Sequence, residues 1–228
     1  MIFGGLIKNS FVDYPQNISA VIFTAGCNMD CWYCHNKNLI TVTQNTMDRQ
    51  EKLKTEIFDF LNERKNFLDG VVISGGEPTI YEDLQIFITQ IKALGYKVKL
   101  DTNGTNPACI KKLLDSNLVD YIAMDIKAPF NKYATIIKTK FNISDIKKSI
   151  NLIMSSKIDY EFRTTFALPL EKNDLVQIAQ SIIGAKHYYI QKYKSYNLDD
   201  LSVSLPSELL QAQVECSKFV KNCVTRGL

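Results

Sequence analysis

The sequence predicts an α/β protein built as a partial parallel (β/α)6 barrel, and two observations carry that expectation. Six short runs of β-branched and aromatic residues, bounded by turn or polar residues, alternate with stretches of helical apolar spacing. Several of these runs, VVIS and YIAMD among them, are apolar without alternation, as parallel strands covered on both faces are. Repeated strand–helix alternation implies right-handed crossovers and one parallel sheet, with too few units to close an eight-fold barrel.

Taken in order, residues 1–17 read as an N-terminal extension. Strands are expected at Ile18–Thr24, Val71–Ser74, Lys97–Asp101, Tyr121–Asp125, Tyr160–Phe166 and Tyr188–Tyr193. Between them, Leu53, Ile57, Phe60 and Leu61 share one helical face, as do Leu84, Phe87, Ile88, Ile91 and Leu94. Further helices are marked by Ile110, Leu113 and Leu114, by Ile146, Ile150, Ile153 and Met154, and by Leu175, Ile178 and Ile182. Lys127 to Thr139 (KAPFNKYATIIKT), with its lysines and proline, reads as a loop or broken helix. A last helix is expected over 206–225, starting at Pro206 with Ser207 and Glu208 in its first turn. That helix would carry Cys216 and Cys223 on one face as core thiols. The whole of 1–228 reads as one domain.

Composition narrows the function classes. Of 228 residues, 27 are Lys or Arg and 24 Asp or Glu, a net charge of +3, with 46% apolar and 22% charged residues. This excludes a disordered tail, a collagen and a charge-driven nucleic-acid wrapper. Six cysteines are too sparse for a disulfide-stapled mini-domain. No apolar run approaches the roughly 18 to 20 residues of a membrane span. MIFGGLIKNSFVDYPQ lacks a basic segment followed by an apolar core. The expectation is a cytoplasmic protein with neither nucleic acid nor membrane as partner.

The unusual residues sit at the C-terminal ends of the predicted strands, where α/β folds gather function. After the first strand comes TAGCNMDCWYCHN, placing Cys27, Cys31 and Cys34 in a C-x3-C-x2-C spacing. A structural zinc site closes on four ligands, and His35, abutting Cys34, could hardly bend back as the fourth. A cubane iron–sulfur cluster takes four cysteines as a rule, so three leave one iron open to a substrate or cofactor. The bland alternatives are three reduced thiols in a loop or a partial zinc site.

This triplet resembles the signature of the radical S-adenosylmethionine superfamily. The resemblance implies a [4Fe–4S] cluster held by Cys27, Cys31 and Cys34, with S-adenosylmethionine chelating the open iron. Reductive cleavage would then give a 5′-deoxyadenosyl radical. Tyr33 would stack near the adenine or pack beside the cluster. His35 would touch cluster or cofactor, or hydrogen-bond at the surface.

The remaining strand ends extend the likeness. The second strand ends in Ser74, Gly75, Gly76, Glu77 and Pro78, similar to the family's GGE motif at the methionyl ammonium, although alone it reads as a turn. The third ends in Asp101, Thr102, Asn103 and Gly104, and the fourth in Met124, Asp125, Ile126 and Lys127. Both resemble motifs of glycyl-radical-enzyme activases such as pyruvate formate-lyase activating enzyme. There the resemblance implies Asp101, Asn103 and Asp125 around S-adenosylmethionine and Lys127 at its carboxylate. It also implies a monovalent cation on Asp101, Thr102, Asp125 and the Ile126 carbonyl. A structural Asp–Lys pair is the other reading.

Arg163, in the otherwise apolar fifth strand, demands an anion: the cofactor carboxylate or ribose, or a salt bridge to Glu161, Asp125 or Glu77. Gln191 stands where the family's pattern has a ribose-binding His.

GLIKNSFVDYPQ at the start and TRG at the end resemble activating proteins of anaerobic ribonucleoside-triphosphate reductase. That implies an activase whose partner is a glycyl radical enzyme and whose electron donor is a flavodoxin or ferredoxin. Two other classes remain: a small-molecule radical enzyme resembling 7-carboxy-7-deazaguanine synthase, and a non-enzymatic iron–sulfur protein.

Overall fold

In the computed structural model, which describes residues 1–194 and 206–228, the sheet has eight strands whose spatial order follows chain order. They are β1 (Phe3–Ser10), β2 (Ser19–Thr24), β3 (Gly70–Gly75), β4 (Lys97–Thr102), β5 (Tyr121–Asp125), β6 (Asp159–Phe166), β7 (Tyr188–Lys192) and β8 (Cys223–Arg226). Helices α1 (Gln44–Asp48) and α2 (Gln50–Glu63) follow β2; α3 (Leu84–Ala93) follows β3; α4 (Pro107–Asp115) follows β4. Then come α5 (Tyr133–Ile136) and α6 (Ile143–Ser155) after β5, α7 (Lys172–Ser181) after β6, and α8 (Pro206–Cys216) after β7.

The six strands expected from sequence are β2 to β7, each within a residue of its expected bounds, and each is followed by helix. Two flanking strands correct the expectation. The N-terminal extension contains β1, which pairs antiparallel with β2. The last helix ends at Cys216, and Cys223 opens β8, which runs parallel to β7. The two cysteines therefore lie on different elements and share no helix face. Among the described residues β1 and β8 are not paired, so the barrel is open along a seam between them.

Local chemistry sets the helix starts. Asn106 accepts from the Cys109 amide at 3.1 Å with Pro107 in the first turn, and Asn142 accepts from the Ser144 amide at 3.0 Å. Glu171 and Asp174 form a reciprocal capping box on α7. In the loop after β5, α5 is a single turn, and Ile137 beyond it bridges antiparallel to Cys31.

The main core lies between the sheet and its helices. Ile57, Leu61, Ile88, Ile91, Ile110, Ile150, Leu175 and Ile178 are buried there against Ile22, Ile73, Leu100, Ile122 and Phe162. Each such side chain contributes about 1.5–3 kcal/mol. The inner face of the sheet differs. Val21, Val72 and Tyr121 form a small apolar floor with Tyr14 and Ala123. In register with that floor stands Lys99, and above it come Asp101, Glu161, Asp125 and Arg163. Strand alternation produces this: Val98 and Leu100 of β4, and Tyr160 and Phe162 of β6, face the helices, so the residues between them face inward.

Candidate active site

A cavity of about 270 Å³ opens at the C-terminal ends of β2 to β7. Cys27, Cys31, Cys34, Tyr33 and His35 line one side of it. Gly75, Gly76, Glu77, Asp101, Thr102, Asn103, Asp125, Lys127, Arg163 and Gln191 line the other. Of the residues expected to hold cluster, cofactor or cation only Ile126 is absent from this lining, its side chain being buried in the core.

The cysteine loop is tied from several directions. Gly26 and Cys27 donate their amides to Leu39 and Ile40 at 2.7 and 3.1 Å, and Cys34 returns its amide to Cys31 at 3.1 Å. Asn28, inside the triplet, accepts from Asn103 at 2.9 Å and donates to Thr105 at 2.8 Å. Its carbonyl accepts from Thr139 at 2.9 Å. Asn28 thus couples the loop to the end of β4, a role that sequence reasoning missed. Its only signal was a polar residue between two cysteines.

Among the described residues no three His, Cys, Asp or Glu side chains are gathered closely enough to hold a single metal ion. The three thiols are one short of the four donors that a structural zinc site closes on and one short of the four cysteines of an ordinary cubane, so a cluster held here would keep one iron without a cysteine. Burial pushes the Cys27 thiol up to about 11 and raises Cys31 as well, with Lys127 opposing both. Ligation to iron therefore displaces protons.

Tyr33 is 5% exposed, and its buried hydroxyl has no hydrogen-bond partner. Its ring packs against Trp32 and Tyr193 at 5.6 and 6.3 Å between centroids. An orphaned hydroxyl costs about 1–3 kcal/mol, which a polar ligand in the cavity would relieve.

Both glycines line the cavity, and packing also requires them to be bare. A Cβ on Gly76 would stand 2.0 Å from the Gly26 carbonyl oxygen, and one on Gly75 2.3 Å from the Thr24 amide. Their bareness lets the β3 end pack on the start of the cysteine loop. Gly76→Ala should therefore displace that loop, destabilising the chain by about 1–3 kcal/mol. Iron and sulfide content after reconstitution should fall severalfold, and full loading would contradict this packing.

Glu77 is 1% exposed, and its carboxylate is taken up within the protein. It accepts from the Thr79 amide at 3.1 Å and the Thr79 hydroxyl, from Thr102 Oγ1 at 2.7 Å and from the Asn103 amide at 2.6 Å. It brackets the ends of β3 and β4. Burial raises its pKa, against the pull of those donors.

Deeper in the cavity the charges interlock. Arg163 Nε donates to Asp125 at 2.8 Å and its Nη1 to Asp101 at 3.3 Å; the expected partner Glu161 is 3.9 Å away. Glu161 is instead held by Arg226 of β8 through two bonds of 3.0 Å. Lys127 Nζ reaches Asp125 at 3.0 Å, and Lys99 Nζ reaches Asp101 at 2.5 Å. Burial alone would raise both aspartates, but Arg163 with Lys99 and Lys127 overrides it and holds both below the usual range. Three cations thus face two carboxylates, a surplus suited to a ligand carboxylate.

Each oxygen expected to hold a monovalent cation already has a partner within the protein. Asp101 and Asp125 meet side-chain cations, Thr102 Oγ1 accepts from the Gly104 amide at 3.1 Å while donating to Glu77, and the Ile126 carbonyl accepts from Thr164 at 2.8 Å. Gln191 is half-buried on β7, in register with Thr165 and Arg226. His187 lies at the other end of that strand, against Asn222 at 3.1 Å, and cannot stand in for it.

The chain is similar to several known proteins. A protein of Methanocaldococcus jannaschii, provisionally assigned as a glycyl-radical enzyme activating enzyme, is 35% identical over 98% of this chain and 95% of its own length. Pyruvate formate-lyase-activating enzyme of Listeria monocytogenes is 34% identical over 51% of this chain and 49% of its own. 7-carboxy-7-deazaguanine synthase of Halobacterium salinarum is 30% identical over 38% and 32%. Among solved structures, SuiB of Streptococcus suis bound to S-adenosylmethionine superposes with a TM-score of 0.67 at 13% identity, covering 91% of this chain and 50% of that one. A domain of pyruvate-formate lyase-activating enzyme from Bacteroides vulgatus gives 0.57 at 14% identity, covering 69% and 99%. These two likenesses establish the fold. The family model of the radical SAM superfamily matches residues 21–182, spanning the cysteine loop and β2 to β6, and the chain belongs to that superfamily.

Proposed function

We propose that this chain is an activase that cleaves S-adenosylmethionine reductively and places a glycyl radical on a partner enzyme, anaerobic ribonucleoside-triphosphate reductase. The observation that carries the reading is the end-to-end likeness to the Methanocaldococcus jannaschii activating protein. The family implies the [4Fe–4S] cluster and S-adenosylmethionine. When bound, the cluster supplies one electron, which splits the cofactor into methionine and a 5′-deoxyadenosyl radical able to take hydrogen from a glycine Cα. Reduced flavodoxin or ferredoxin would supply that electron.

This chain's residues do the rest. Cys27, Cys31 and Cys34 would hold the cluster through their thiolates. Lys127 and Arg163, the two cations that line the cavity, receive the cofactor carboxylate. The Tyr33 hydroxyl and Gln191 meet its polar groups, with Tyr33 also shielding the cluster. The seam between β1 and β8 gives the barrel an opening on one side for a partner's glycine loop. No helix among the described residues is long and apolar enough to cross a membrane.

Anaerobic reconstitution and reduction, followed by S-adenosylmethionine and the reductase, should give a glycyl doublet in the electron paramagnetic resonance spectrum. 5′-Deoxyadenosine should form in step with it. Deoxyadenosine without the doublet would remove this partner and favour a small-molecule substrate, the outcome that the partial likeness to 7-carboxy-7-deazaguanine synthase anticipates.

A further inference from the structure

Lys99 occupies an unusual place for a lysine. It is 1% exposed, lies on the inner face of β4, and sits in register between Val72 and Tyr121. Its ammonium lies 2.5 Å from Asp101 and 5.9 Å from the centre of the Tyr121 ring. Burying an ammonium costs several kcal/mol and is sustained only by a partner charge and well-directed bonds. Asp101 is that partner. The other Asp101 oxygen is taken by Ser74 at 3.1 Å and by Arg163.

We propose that Lys99 is the built-in monovalent cation of this site, a positioning residue that fills the charge position beneath the cofactor, so that binding needs no free potassium or sodium. This rests on the S-adenosylmethionine binding that the family implies, and not on the identity of the partner enzyme. A lysine ammonium is a compact, strongly hydrated point charge. In place of an alkali ion it offers the same charge to the same carboxylate. A free ion occupies such a position according to its concentration, whereas a tethered ammonium is always there. Arg163 bridging Asp101 to Asp125 completes the replacement, leaving neither carboxylate to an exchangeable ion.

The test uses the cluster-loaded protein without any partner enzyme. S-adenosylmethionine affinity is measured with tetramethylammonium as the sole monovalent cation, then with added potassium. The natural chain should bind equally well in both. A natural chain that binds only with potassium would overturn the proposal. Lys99→Met should lose roughly tenfold in affinity, about 1.4 kcal/mol, in tetramethylammonium and recover with potassium. A loss that potassium does not repair would make Lys99 a structural residue only, and would equally overturn it.

Should Lys99→Met fail to fold, rubidium in crystals of the natural chain provides an independent measurement. No anomalous peak is expected between Asp101 and Asp125, and a peak there would refute a built-in cation. Neither measurement involves the glycyl radical, so failure of the activase reading would leave both outcomes interpretable.

Discussion

Cys31→Ala should give a folded protein that binds no cubane cluster and forms no 5′-deoxyadenosine above background. Among the described residues three thiols line the cavity, and the cluster that the family implies would have one iron without a cysteine. Removing a second anchor leaves two, too few to retain the cluster against chelation. Cys31 is 7% exposed and its loss removes one buried sulfur, so stability should fall by only about 1 kcal/mol. Anaerobic visible absorption, iron analysis and product chromatography check the three statements separately. Cys216→Ala is the control: that thiol is buried in α8 outside the cavity, and its removal should leave the cluster intact. Retained cleavage in Cys31→Ala would remove the cluster assignment.

Arg163→Met should cost about 3–5 kcal/mol at neutral pH, because it leaves buried carboxylates short of their shared partner. The value should fall toward the lower end, since Lys99 still meets Asp101 and Lys127 still meets Asp125. Against a typical total of about 5–15 kcal/mol this is a large fraction. The pH dependence gives the loss its signature. In the natural chain both aspartates sit below their ordinary value of 3.8, so their contribution is present above that value and lost as pH falls further. Without Arg163 the largest of the forces that lower both is gone, so the variant gains less stability than the natural chain as pH rises through 3.8. The gap between the two proteins should therefore be widest at neutral pH and narrow below pH 4. Guanidinium unfolding at several pH values checks it, and a gap that widens in acid would contradict the ion-pair account. Adding Asp125→Asn to Arg163→Met should recover part of the loss.

What the sequence revealed and what it hid have physical reasons. Strands β2 to β7 were legible because their helix-facing residues are apolar and β-branched in short bounded runs. Strand β1 was not, since half of FGGLIKNS is exposed, two glycines follow its first residue and it needs only β2 as its partner. Strand β8 was hidden by its brevity and by the seven-residue spacing of Cys216 and Cys223, which fits a helix equally well. The site residues were legible as types because polar groups at strand ends are conspicuous. Their partners were not: Asn28 finds Asn103, and Glu161 finds Arg226, only once the sheet is assembled. Lys99 was passed over because a strand lysine is ordinarily read as solvent-facing. The alternation Lys97, Lys99, Asp101 against Val98 and Leu100 was the available signal.

Because the sheet is laid down in chain order, its charged interior is also assembled in that order as the ribosome delivers it. Lys99 and Asp101 emerge together on β4, so that pair can form at once. Asp125 must wait for Arg163, 38 residues further on, a delay of about 2–8 seconds at a synthesis rate of about 5–20 residues per second. Until β6 docks, Asp125 has only Lys127 as a cation partner, and its second oxygen, which Arg163 will take, is left to water. The interior of the nascent barrel should stay hydrated, and open to incoming iron and sulfide, until translation is well past the cysteine loop.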